Sequence, residues 1–83
     1  MDAAAGLKKR SLNLKGHATS LALEPEFWAV LDAQARARGV SLSSLVAELD
    51  AARGLRPLAS ACRVAALRWA ERGSAAADTI SRA

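Results

Sequence analysis

Eighty-three residues allow one small domain, and a core of that size is marginal unless a crosslink, a metal or a second subunit adds to it. One cysteine and one histidine exclude an internal disulfide framework and leave no ligand set at zinc spacing, so oligomerisation is the expected source of extra stability. A net charge of +4, with an isoelectric point near 10.2, favours an anionic partner.

The first seven residues are alanine-rich and patternless. Lys8, Lys9, Arg10 and Lys15 against Asp2 give residues 1–23 a net of +3, whereas eight arginines against seven acids leave +1 for residues 24–83. Residues 1–9 are expected to form a flexible basic arm. The start of the chain lacks the order of a signal peptide, and charges interrupt every apolar stretch short of the ~20 residues of a membrane helix. A cytoplasmic protein without membrane contact is the expectation, and a lone free cysteine suits a reducing compartment.

Arg10–Lys15 alternates polar and apolar residues until Gly16 interrupts. Alternation resumes over Thr19–Leu23, with Thr19, Leu21 and Leu23 on one face and Ala18, Ser20 and Ala22 on the other. The runs differ in phase, since Leu12 and Leu14 are even and Leu21 and Leu23 are odd, so a turn or bulge near Gly16 must absorb the shift. Only the second run is a convincing strand. One strand leaves backbone groups unpaired along both edges, and the nearest partner is the same strand of a second copy. Antiparallel pairing of identical strands about a two-fold axis is self-complementary. An intrachain hairpin through Gly16 is the alternative.

Pro25 suits a first helical turn, and Phe27, Leu31, Gln34 and Ala35, with Trp28 beside them, share one face up to Arg38. Gly39 ends that helix. Ser41 is the N-cap of a second helix, whose Leu42, Leu45, Val46, Leu49 and Ala52 follow helical spacing to about Arg53, before Gly54. Pro57 opens a third, with Leu58, Cys62, Ala65 and Trp69 as its stripe, widened by Ala61 and Ala66. It is expected to end near Arg72, at Gly73. The domain thus covers residues 10–72, with a flexible tail over 73–83. Trp28, Trp69 and Cys62 read as core. Arg63, Arg68 and Arg72 read as a solvated face on which Arg68 and Arg72, one turn apart, are able to grip an acidic partner.

Strand, helix, Gly39, the Ser41-Leu42-Ser43 turn and a second helix follow one another without a gap over residues 18–53. In this order and spacing the chain resembles the ribbon-helix-helix family. It is similar to a short bacterial subgroup in Lys9-Arg10-Ser11, Gly16-His17, Thr19-Ser20, Leu23-Glu24, Phe27-Trp28, Gly39 and Ser41–Leu45. Leu58–Val64 matches that subgroup's C-terminal extension, so the resemblance covers roughly residues 9–70.

The resemblance implies a mainly α fold with one short strand per chain. The two strands of an intertwined homodimer would form an antiparallel intersubunit ribbon, with a third helix appended. It implies a bacterial transcriptional regulator whose ribbon enters the major groove of double-stranded DNA, with the N-terminus of the second helix on a phosphate. Lys8, Lys9, Arg10, Lys15, His17, Ser20, Ser41, Ser43 and Ser44 are the candidate DNA contacts. Thr19, Leu21, Leu23, Phe27, Trp28, Leu31, Leu45, Val46 and Leu49 are the expected core and dimer interface. The outward strand face departs from the family, because Ala18, Ser20 and Ala22 offer no bidentate partner to a base. Direct readout would have to come from Lys8, Lys9, Arg10, Asn13, Lys15 or His17, so attraction to phosphate is better supported than sequence specificity.

No catalytic constellation is expected, and no metal or cofactor. Glu24 and Glu26 suit the positive end of a helix. Two other readings compete with DNA binding. One is a protein-interaction or antitoxin-like module that binds a partner protein through the C-terminal helix. The other is a monomeric helical bundle with residues 10–23 unstructured.

Overall fold

The computed structural model describes the backbone of residues 6–82 and the side chains of residues 6–73. Two strands, β1 (Lys8–Leu14) and β2 (His17–Leu23), precede three helices, α1 (Pro25–Arg38), α2 (Leu42–Ala52) and α3 (Leu58–Arg82).

The chain has two strands where the sequence reading gave one, and β2 pairs antiparallel with β1 of its own chain. The expectation of a lone strand is corrected by the residues that open β1. Lys8 and Arg10 occupy positions that point the same way as Leu12 and Leu14, and their charges hide the alternation. Lys8 and Lys9, expected in a flexible arm, are strand residues. The hairpin through Gly16, given above as the alternative, forms within the chain and leaves the second edge of β2 for another partner.

Its loop is Lys15-Gly16 alone. Both residues have positive φ, 53° and 86°, the signature of a type I′ turn whose twist matches the flanking strands. The Asn13 side chain secures it, its Oδ1 accepting from the Gly16 N–H at 2.9 Å. The register also explains the phase shift. Leu12 faces Thr19 and Leu14 faces His17, so even positions of β1 share a face with odd positions of β2.

Pro25 starts α1 after an extended Glu24, and Gly39 stops it in the left-handed conformation at φ 68°. Ser41 caps α2, its Oγ accepting from the Ser44 N–H at 3.0 Å. The third helix differs from expectation, because α3 continues through Gly73 to Arg82. Gly73 is absent from the glycines with positive φ, and the alanines that follow have the highest helix propensity.

The inner hairpin face supplies Leu12, Leu14, Leu21 and Leu23 to a core shared with Trp28, Leu31, Ala35, Leu45, Val46, Cys62 and Ala66. Phe27, Leu49 and Trp69 pack against it half-buried, and Thr19 is half-buried at the rim. Leu12 and Leu14 were not among the expected core residues; they belong to the strand whose charges concealed it. Leu23, Leu31, Leu45 and Val46 are fully enclosed, each worth ~1.5–3 kcal/mol of transfer free energy.

Candidate nucleic-acid interface

Alternation along the hairpin sorts the polar residues onto two faces. Lys9 pairs with Ala22, Ser11 with Ser20 and Asn13 with Ala18, and these six share the face turned away from the core. All but the half-buried Ala22 are exposed. The small side chains of β2 are therefore flanked by the longer ones of β1. Lys15 stands at the turn, exposed, and the outer face with its turn carries no acidic residue.

The expected DNA-contact residues divide accordingly. Lys9, Lys15 and Ser20 come together on this surface, and Ser11 and Asn13 join them. Ser11 was missed; recognising the two-residue turn would have found it, since that turn sets it opposite Ser20. Arg10 lies on the other side. Its Nη1 is 3.1 Å from Asp32 Oδ2, and its guanidinium carbon is 4.8 Å from the centre of the Trp28 ring, so α1 holds it. Lys8 shares that inner side, exposed, and its carbonyl accepts from Trp28 Nε1 at 2.7 Å. His17 is exposed beside the turn, opposite Leu14.

The serines of α2 adjoin the hairpin. The Asn13 N–H donates to Ser43 Oγ at 3.4 Å, a long contact that sets the N-terminus of α2 against the outer edge of β1. Ser41 and Ser44 serve each other, the Ser41 hydroxyl donating to Ser44 Oγ at 2.9 Å.

A two-residue loop closes on a hydrogen-bonded pair, here Leu14 and His17. Alternation then gives the ladder bonds to odd residues of β2, and the N–H and C=O groups of Ala18, Ser20 and Ala22 point to the far edge. Among the described residues, no other element bonds to that edge. One side of β1 is touched by α2, whereas among the described residues no hydrogen bond reaches the outer edge of β2.

Other titratable groups lie away from this surface. The Glu24 carboxyl is held below the ordinary range by its own backbone N–H and then by Arg63, 3.0 Å away. Burial pushes the Cys62 thiol up to about 11, and the nearby Asp50 adds to this while Arg63 opposes it. Among the described residues no three His, Cys, Asp or Glu side chains gather as for a metal, and no helix is long and apolar enough to cross a membrane.

No curated protein and no solved structure gives a match to this sequence. A family model described as a ribbon-helix-helix domain matches residues 7–70, a span that takes in the hairpin, α1, α2 and the first half of α3. With that match over most of its length, and with the antiparallel strand pair ahead of its helices, the chain belongs to the ribbon-helix-helix domain family.

Proposed function

We propose that the chain is a homodimeric DNA-binding transcriptional regulator. Ribbon-helix-helix domains are in general DNA-binding regulators or antitoxins and typically form dimers. In this reading β2 of each copy pairs with the other about a two-fold axis at or near Ser20. The intersubunit ribbon becomes the centre of a four-stranded sheet, with β1 on either flank. Lys9, Ser11 and Asn13 of both copies then border the small central residues, and Lys15 reaches outward at the turns. The sheet enters the major groove, and the free N–H groups of α2 take a phosphate at the groove wall.

The open backbone edge of β2, beside an outer face that carries lysines and no acid, is the observation that supports this most directly. Phosphate attraction supplies most of the affinity. Alanine and serine at the centre offer methyl contact or single hydrogen bonds, and β1 supplies any stronger base contact.

A mobility-shift series on duplex DNA at rising salt tests the reading. Affinity should fall linearly on a log–log plot of binding constant against salt. Absence of binding at low salt would remove the proposal.

A further inference from the structure

At the far end of α2 from the hairpin, a cleft of about 350 Å³ opens between α2 and α3. We propose that it is a docking site for an acidic amphipathic peptide segment of a partner protein, independent of the DNA reading. Leu49, Val64 and Ala65 supply an apolar lining, and Arg53, Arg56 and Arg68 supply positive charge. No acidic side chain lines it. Arg53 is paired with Asp50 at 2.7 Å, and its Nη1 donates to the Arg56 carbonyl at 2.9 Å, which holds the connecting loop in shape. Arg56 and Arg68 take part in none of the four ion pairs among the described residues.

The same loop carries Leu55, fully exposed at 104% of its reference surface. Standing between Arg53 and Arg56 of the cleft lining, it adds apolar surface beside their charges. A partly open cleft of mixed polar and apolar lining suits a side-chain ridge laid into a groove better than a small molecule that must be enclosed. Its charge asks for carboxylates flanking that ridge. The N-terminus of α2 meets the hairpin at Ser43, and 11 residues of helix put about 16 Å between the two ends. The cleft is therefore clear of the surface proposed for DNA.

The test uses the full chain and a fluorescein-labelled synthetic helix with leucines at i, i+3, i+4 and i+7 and glutamates on both flanks. Anisotropy should report saturable binding at micromolar concentration. A scrambled peptide of the same composition should bind at least ten-fold more weakly. Arg56→Gln and Arg68→Gln should each weaken binding about five-fold or more, whereas Arg36→Gln, which removes the same charge from α1, should not. Circular dichroism and light scattering of each variant accompany these measurements. Equal affinity for the scrambled peptide, or equal loss in Arg36→Gln, would reduce the effect to net charge and overturn the proposal. A cleft variant that instead shifts the subunit mass would assign the cleft to a second copy of the chain, and would overturn it too.

Discussion

Arg10 sits between a carboxylate and an aromatic ring, and this decides what its charge is available for. Both Asp32 and Trp28 belong to α1, so the side chain ties β1 to the helical layer. An exposed cation–π contact and a part-exposed ion pair are each worth ~0.5–1 kcal/mol. Arg10→Ala should lower stability to urea by about 1 kcal/mol and weaken DNA binding less than Lys9→Ala does. Adjacent in sequence, the two residues look equivalent, as members of one basic run. Strand geometry separates them, because neighbours on a strand face opposite ways. Cys62 was legible from its place on an apolar stripe, and it is fully buried. Its thiol, raised from an ordinary 9.0 to about 11, should resist iodoacetamide at pH 8 in the folded chain and react once urea unfolds it. The raised value penalises ionisation only in the folded state. Stability should therefore be unaffected below pH 9 and decline between pH 9 and about 11 as the unfolded thiol ionises first. Cys62→Ala should remove that part of the decline, as read by urea midpoints at each pH.

The hairpin turn is where an element's conformation and its sequence disagree. Among the described residues Lys15 is the one non-glycine residue with positive φ, at the first position of a type I′ turn that asparagine fills better. Lys15→Asn should raise the unfolding free energy read from urea titration by about 0.3–1 kcal/mol, while weakening DNA binding through the lost charge. Movement of stability and affinity in opposite directions would separate the two roles of this residue. At α2, Ser41→Ala should cost ~0.5–2 kcal/mol, since the Ser44 N–H loses its partner. The bounds of α1 and α2 were readable because Pro25, Gly39 and Ser41 act locally, within one turn of each helix end. The extent of β1 was not readable, because its inner face opens with Lys8 and Arg10, and their partners at α1 lie eighteen or more residues away. The end of α3 was misplaced for a related reason. A glycine stops a helix by adopting positive φ, and nothing in the sequence shows whether Gly73 does so.

At the scale of the whole molecule, the question is which edge of the hairpin meets a second copy. Hydrogen-bond accounting points to β2, because the N–H groups of Ala18, Ser20 and Ala22 face away from β1. A proline is tolerated in a strand only where its missing N–H would point off the edge. Ser20→Pro should therefore preserve the bonds between β1 and β2 and keep the helical circular dichroism, yet block pairing between copies. Light scattering should then report the mass of one chain where the parent protein gives two. Retention of the two-chain mass would place the dimer contact elsewhere and dismantle the four-stranded sheet. On the proposed reading, DNA binding depends on the same geometry, because a dimer would present every outer-face residue twice. Lys9→Ala removes two phosphate contacts per dimer, and the slope of log affinity against log salt should flatten by about 1.8, at ~0.9 per contact. A flattening of half that size would mean that only one copy of Lys9 reaches the duplex, which a two-fold ribbon centred near Ser20 does not permit.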